Sequence, residues 1–481
     1  MSSEESLNKK LSDYIKIYLE SQNYNDEFEI RFGTNYNNNI TRIKFDNIIK
    51  KLKSLGFKPI DGNGKYHLNI QNEYVDVVSG KIKLSNVRTE IKGITNIQQY
   101  CKKNSFNLEE PEQYVSFIKK NFMTKGDNKL YPIDFKNFEF RVNYKVESKL
   151  QKTNRMIDIM LKNWNDSKKT FRFIKRFTFI KEGFPYKFDL SILKTSKYNK
   201  TTRKYVSEYN INNSNVFNNI ESYEVEMELL NEKSKNKSDV ELLSLIKKGI
   251  KIILSGLQNS NFPISYNESN NIIYEYVKLT NKHKSKDNIL FEKTSKGQYI
   301  RKNRKNFIGP SSITLEKENI IKLNNVSDNS IANIHNPYTV TDKADGLRKL
   351  LFINNIGKIY LIDINLNIEF TGCITKNKSC FNSILDGEHI LHDKTGNFIN
   401  LYMCFDIYYY NTENIRNYPL LKIDNLTYEN DSIDKSKYRL NILYEFTKNI
   451  DMRSIIKNRE ASLTLEKKTF YNNLENSIFK I

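Results

Sequence analysis

The sequence predicts an α+β chain with two globular parts. The first is an antiparallel β-barrel, polar inside and apolar outside; the second is a mixed α/β domain. Three observations predict it. Two strand-like runs, Glu27–Gly33 (EFEIRFG) and Tyr223–Leu229 (YEVEMEL), alternate carboxylates with apolar residues. Between them lie runs that alternate cations with apolar residues in the same way. Beyond them, from Tyr338 to Asp363, a turn carrying Lys343-Ala344-Asp345-Gly346 is followed by two more strand-like runs.

Leu7 to Glu20 reads as a helix, with Leu11, Tyr14, Ile15 and Tyr18 on one stripe. In the strand that follows, side chains alternate between faces, so Glu27, Glu29 and Arg31 share one face and Phe28, Ile30 and Phe32 the other. An ordinary half-buried strand would turn those charges to water. The second acidic run decides against that. Glu224, Glu226 and Glu228 stand about 6.6 Å apart on one face, and like charges that close need cations among them. The runs between supply them: Arg88 in Val87–Ile91, Arg141 and Lys145 in Phe140–Glu147, Arg172 and Arg176 in Phe171–Phe179, Lys187 with Asp189 in Tyr186–Ile192. Acidic strands for metal and basic strands for phosphate, all polar on one face, describe a charged barrel interior.

Asp239 to Leu254 is helical by its apolar stripe, with Gly256 as its stop. A second helix spans Ser269 to Leu279, and both are expected on the outside of the barrel. Lys282 to Lys305 is a basic connector. The predicted division is a barrel domain at 1–258, a helical and basic linker at 259–304 and a second domain at 305–481.

The net charge of +21 (77 basic against 56 acidic residues) points to an anionic partner, nucleic acid first. The many Asn, Lys and Ile residues follow AT-rich coding. The four cysteines show no CxxC spacing, which argues against structural zinc and fits a reducing, intracellular compartment. No apolar run is long enough to span a membrane, and MSSEESLNKK is no signal peptide.

Lys343 has the surroundings of a nucleophile. A lysine amine has an ordinary pKa of about 10.4 and must be made less basic to attack. Arg348 disfavours a second positive charge and can hold phosphate oxygens, Asp345 can orient the amine, and Gly346 admits a close ligand.

KADGLR resembles motif I (KxDGxR) of the covalent nucleotidyltransferases, the mRNA guanylyltransferases and the ATP- or NAD-dependent ligases. Gly357–Asp363 (GKIYLID) looks like motif III, and Ile384–Glu388 (ILDGE) like motif IV. Phe405–Tyr410 (FDIYYY), Asn414-Ile415-Arg416 and Pro419-Leu420 resemble the capping enzymes of large DNA viruses, as does Gly309–Glu316 (GPSSITLE), which matches their opening strand. The resemblance implies an ATP-grasp/ligase-like mixed α/β domain. Lys343 would carry a phosphoramidate-linked GMP, Tyr360 would stack on guanine, and Glu388, with Asp386, would bind metal. No glycine follows Gly396. The family's glycine-based motif V with its lysine pair, and its OB-fold lid, are therefore expected to be missing, leaving a partial guanylyltransferase.

EFEIRFG and YEVEMEL in turn resemble motifs A and C of the triphosphate tunnel metalloenzymes, within them the metal-dependent RNA 5′-triphosphatases. That implies an eight-stranded antiparallel tunnel with covering helices. Glu27, Glu29 and Glu228 would ligate Mg²⁺ or Mn²⁺, and Glu224 and Glu226 would hold metal-bound water or help position the attacking water. Arg31, Arg88, Arg141, Lys145, Arg172, Arg176 and Lys187 would grip phosphates, with Asp189 orienting them. The family's basic-x-basic-x-basic strand departs here: Ile174 takes the middle place, and Lys175 has the wrong parity unless a bulge re-aims it. The whole resembles the N-terminal part of a giant-virus mRNA capping enzyme, acting on 5′-triphosphate RNA and GTP without a membrane, in host cytoplasm or virion. A separate polypeptide would complete the guanylyltransferase or add a cap methyltransferase. The rival readings are a polynucleotide ligase fragment, a polyphosphate-hydrolysing tunnel, and a non-catalytic module that binds RNA 5′ ends or a partner.

Overall fold

The computed structural model describes residues 3–21, 23–34, 39–106, 114–281, 291–294, 297–300, 306–321, 333–334, 339–421 and 437–471. They form two compact units, Met1–Asn259 and Ser260–Ile481.

Eight strands of the first unit close on themselves: β1 (Asp26–Phe32), β2 (Lys65–Val75), β3 (Val87–Lys92), β4 (Val115–Phe122), β5 (Phe140–Leu150), β6 (Lys169–Ile180), β7 (Tyr186–Thr195) and β8 (Ser222–Leu229). Around the barrel the order is β1-β5-β4-β3-β2-β6-β7-β8 and back to β1, every pairing antiparallel. The register follows strand parity. Phe28 and Ile30 on β1 are fully buried on the outer face. They pack with Leu11, Ile15 and Tyr18 of α1 (Ser3–Glu20), with Phe45 and Ile48 of α2 (Arg42–Ser54), and with the long helix Asp239–Gln258. A second outer cluster joins Leu68 and Ile70 of β2 and Ile91 of β3 to α3 (Ile94–Lys103), with Trp164 beyond α4 (Arg155–Lys162). With the apolar faces turned out against helices, the polar faces are left to the lumen.

The helix Asp239–Gln258, α5, runs past Gly256, where the sequence suggests a stop. Its left-handed cap is Asn259 (φ 50°). Gly256 is there for a different reason: a Cβ on it would lie 2.8 Å from the Cα of Ile48 on α2. Ala is the better helix former by about 1 kcal/mol, but overpacking two helices costs about 1–3 kcal/mol. Gly256→Ala is therefore expected to lower the urea midpoint. An unchanged or raised midpoint would show that α2 and α5 do not approach this closely.

The helix expected over Ser269 to Leu279 on the outside of the barrel forms as α6 (Tyr266–Thr280), but within the second unit. Its apolar stripe (Ile272, Ile273, Tyr276, Val277) belongs to the second unit, packed on Leu350, Phe352 and Tyr360. That unit is built on β9 (Leu347–Ile353), β10 (Lys358–Asp363), β11 (Ile368–Thr375), β12 (Ser383–His392) and β13 (Phe398–Tyr410). The sheet order is β13-β12-β9-β10-β11. Its other face is covered by α7 (Arg439–Asn449) through Leu440, Leu443 and Phe446. Both faces are covered, so Leu350–Ile353 is apolar without alternation, and all four residues are fully buried. The edges carry β14 (Met452–Ser454), beside β11, and β15 (Thr464–Lys467), parallel to β13.

The opening strand expected at Gly309–Glu316 does not form; Pro310 has no N–H to give a ladder, and the segment is irregular. Of the basic connector, residues 282–290, 295–296 and 301–305 lie outside the described residues. Among the described residues no helix is long and apolar enough to cross a membrane.

Candidate active site in the barrel lumen and a lysine loop in the second unit

A cavity of about 690 Å³ occupies the lumen. Register places its acidic wall. Glu29 of β1 stands opposite Glu228 of β8, and Arg31 opposite Glu226. On the next strand round, Lys187 of β7 faces Glu228 and Asp189 faces Glu226. On the other side, Glu27 faces Lys145 and Glu29 faces Asn143. Glu27, Glu29, Glu226 and Glu228 all line the cavity, as do Arg31, Arg88, Lys145, Arg172, Arg176 and Lys187.

Each carboxylate meets a different environment. Glu27 is paired with Lys120, which also reaches Glu147 at 3.0 Å. The other oxygen of Glu27, Oε2, is buried with no hydrogen-bond partner. Glu29 accepts a hydrogen bond from Asn143 Nδ2 at 2.9 Å. Burial, and then the charges of Glu226 and Glu27, push its carboxyl up to about 7. Burial also raises Glu228, against Lys187 at 3.0 Å. Asp189 is buried and lies 3.4 Å from Lys187 and 3.8 Å from Arg176, so it fixes two cations.

Two sequence expectations change, and an open one is decided. Glu224 is clasped by Arg31 and Arg172 and does not line the cavity, which leaves Glu226, 3.8 Å from both Arg31 and Arg176, as the carboxylate of the two that faces into it. Arg141 lies outside the cavity, held by both oxygens of Asp134 at 2.7 and 3.0 Å, because a short strand, Ile133–Phe135, pairs with β5 at that point. No bulge re-aims Lys175. The registers of β6 against β7 and β2 are continuous, Ile174 lines the lumen, and Lys175 lies outside over the Tyr66 and Phe177 rings, 5.3 Å from each.

Sequence reading also missed Lys120 and His67, which line the same cavity with Glu90, the residue that alternates with Arg88 on β3. Lys120 is outweighed by carboxylates: burial opposes its charge, but Glu27, Glu147 and Glu29 hold its pKa above the ordinary lysine value. His67 is driven down to about 4 by burial and stays neutral beside Glu90. Lys120 could have been found by continuing the inward parity Ser116, Ile118, Lys120.

In the second unit Lys343 and Asp345 are exposed on the loop before β9. Gly346 presses that loop onto β12: a Cβ there would lie 3.0 Å from the His389 carbonyl and 3.2 Å from Glu388 Cβ. The loop and Glu388 are thereby brought together. A residue not foreseen joins them. Lys468, 6% exposed, donates to the Asp342 carbonyl at 3.0 Å and stands 4.0 Å from Glu388 Oε1. Its signal was the pair Lys467-Lys468, which stands without the glycine motif expected beside such a pair.

Three assignments fail here. Arg348 is not open to phosphate, since Asp386 and the Pro310 carbonyl take its guanidinium. Asp386 is fully buried between Arg348 and the Tyr408 hydroxyl (2.6 Å), so it is no metal ligand. Tyr360 does not offer its ring to a base. It is 1% exposed in the core beneath α6, packed on Phe370, and its hydroxyl donates to Glu268 at 2.8 Å. The even positions of β10 face α6, and its stripe takes the room a base would need. Tyr360→Phe is expected to cost about 1 kcal/mol of stability in urea titration by loss of that bond; a loss of nucleotide affinity at unchanged stability would reverse this placement.

Among the described residues no three carboxylate, histidine or cysteine side chains converge to metal-ligating distance. In the lumen the Lys120 and Lys187 amines take that role, paired with Glu27 and Glu228. The donors still suit a hard divalent cation: all are oxygens, one is buried without a partner, and Glu29 is raised by burial and then by its neighbours' charge.

The first unit is thus a closed eight-stranded antiparallel barrel with carboxylates and cations facing across its lumen, the fold expected from its two acidic strands. The sequence adds the particular kinship. Residues 276–476 match the family model described as mRNA capping enzyme, catalytic domain. The chain is 30% identical over 266 residues, 53% of its length, to a probable mRNA-capping enzyme of Acanthamoeba polyphaga mimivirus, and spans 19% of that relative. Among solved structures, it is similar to the mimivirus capping enzyme triphosphatase (18% identity, TM-score 0.33, covering 53% of this chain and 98% of that one). It is also similar to an RNA triphosphatase of S. pombe (12% identity, TM-score 0.28, covering 51% and 91%). The barrel stands on its own strand pairing rather than on these likenesses. The resemblance to giant-virus mRNA capping enzymes is thus carried by sequence in both the match to the catalytic-domain model and the mimivirus relative.

Proposed function

We propose that the barrel removes the γ-phosphate from 5′-triphosphate RNA, and that the second unit transfers GMP from GTP through Lys343, two successive steps of mRNA capping. One observation carries the first step: a single lumen sets Glu27, Glu29, Glu226 and Glu228 against six or more cations. Mg²⁺ or Mn²⁺ held by Glu27, Glu29 and Glu228 would neutralise charge on the β- and γ-phosphate oxygens. The chain's own residues do the rest. Arg88, Arg172, Arg176, Lys120, Lys145 and Lys187 bind phosphate oxygens, fixed beforehand by their carboxylate partners, so little reorganisation is left for the reaction itself. Asp189 holds Arg176 and Lys187 in place. Glu226, in the cavity and not clasped like Glu224, accepts a hydrogen bond from the attacking water. In the second unit, Lys343 Nζ attacks the α-phosphorus of GTP, forming the P–N bond to GMP as pyrophosphate leaves, and the GMP then passes to the diphosphate end of the RNA. Glu388, with the loop pinned to it at Gly346, would be the carboxylate that holds a metal there. Asp345 orients the amine.

The test is phosphate release from γ-labelled triphosphate-ended RNA with magnesium, manganese or chelator. Release that needs the metal is expected. Folded protein that releases none with either metal would overturn the reading. Covalent labelling by GTP and not by ATP, lost in Lys343→Ala, tests the second step and separates capping from ligation.

A further inference from the structure

A second cavity, of about 420 Å³, adjoins the first inside the barrel and differs from it in chemistry. The two share Asn69, Arg88, Lys120 and Arg172. Strand order shows that they follow one another along the barrel axis. On β2 the first takes His67 and Asn69, the second Asn69 and Gln71; on β6 the first takes Arg176 and Arg172, the second Arg172 and Thr170; on β3 the first takes Lys92, Glu90 and Arg88, and the second continues from Arg88 to Asn86. The lumen is therefore two chambers on either side of a ring of three cations.

The carboxylates stay on one side. Beyond the ring the wall is neutral: Gln71, Ser85, Asn86 and Thr170 offer hydrogen bonds, and Leu84 and Ile118 offer apolar surface. Three buried polar atoms at the ring have no partner within the protein: Asn69 Oδ1, Arg88 Nε and Arg172 Nε. A buried polar atom left unpaired costs about 1–3 kcal/mol; a phosphate at the ring would accept from the two arginine Nε–H groups, and a ribose hydroxyl or base N–H would donate to Asn69 Oδ1.

We propose that the neutral chamber binds the 5′-terminal nucleoside of the RNA, with the α-phosphate on the Arg88–Lys120–Arg172 ring and the γ-phosphate among the carboxylates. This rests on the triphosphatase reading and adds the direction in which the substrate lies. A phosphate chain alone would need cations on both sides of the ring; amides and hydroxyls interleaved with aliphatic side chains suit a base and ribose.

Equilibrium binding tests it without turnover. Full-length protein in chelator is titrated with a triphosphate-ended diribonucleotide and with inorganic tripolyphosphate. The dinucleotide is expected to bind about tenfold tighter. Gln71→Ala and, separately, Asn86→Ala should remove most of that preference and leave tripolyphosphate affinity unchanged. Equal affinities in the unaltered protein, or a preference kept in both variants, would overturn the proposal, as would equal losses for both ligands in both variants. A protein that binds with this preference yet releases no phosphate would refute the triphosphatase reading alone.

Discussion

Glu27→Ala and Glu228→Ala should each lower metal-dependent phosphate release from triphosphate-ended RNA by on the order of 10²–10³-fold, the range seen when one preorganised electrostatic group is removed from an active site. The structure says why these two should matter most. Glu27 keeps one buried oxygen without a partner, and Glu228 stands directly across from Glu29 with Lys187 beside it. Losing either removes one of the lumen carboxylates Glu27, Glu29, Glu226 and Glu228 and leaves an amine short of one counter-charge: Lys120 keeps Glu147, and Lys187 keeps Asp189. Such an amine would bind substrate phosphate in place of the metal, so the variants should retain RNA binding while losing turnover. The control is Asp158→Ala, which removes an exposed ion pair with Lys162 on α4 and should change nothing. Rates within twofold of the unaltered protein for both Glu variants would remove the lumen from the chemistry.

Strand parity made most of the barrel legible. Where inward residues were charged, as in β1, β3 and β5 to β8, the alternation alone fixed both the strand and its orientation. β2 escaped because its inward residues are His67, Asn69 and Gln71, and β4 because its inward face begins with Ser116 and Ile118 and carries a single charge, Lys120, too little for an alternation to show. The same silence hid the neutral chamber. Interactions across strands were not legible at all. Nothing in the local sequence says that Glu224 is clasped by Arg31 and Arg172, or that Asp134 draws Arg141 away; both depend on which strands close the barrel. In the second unit the motifs located the loop and Glu388, but Tyr360 could not be placed without knowing that α6 covers its face of the sheet. Gly256 shows a further limit: a glycine near a helix end reads as a cap, and only the neighbouring helix reveals it as a point of contact.

In metal-free protein, Glu29→Gln should raise thermal stability at pH 8 and leave it unchanged at pH 4. The sign follows from linkage. The Glu29 carboxyl is pushed up to about 7 in the folded chain, from an ordinary value of 4.5, by burial and by Glu226 and Glu27. Its protonated form is therefore the one the fold favours. Its contribution to stability is fully present below pH 4.5 and is lost as pH rises through 7. Each pKa unit corresponds to about 1.36 kcal/mol, and water in the lumen screens part of that, so a penalty on the order of 1–2 kcal/mol at pH 8 is expected. A glutamine keeps an oxygen for Asn143 and carries no charge, so it escapes the penalty. Melting curves in chelator across pH 4 to 8 measure the difference. A divalent cation should then raise the melting temperature of the unaltered protein more than that of the variant, since binding to the folded state alone stabilises it. An ordinary charged strand, its carboxylates already satisfied, would behave in the opposite way and lose stability with the substitution. If the variant's offset is the same at both pH values, Glu29 does not titrate in this window, and the crowding of carboxylates that argues for a cation in the lumen is gone.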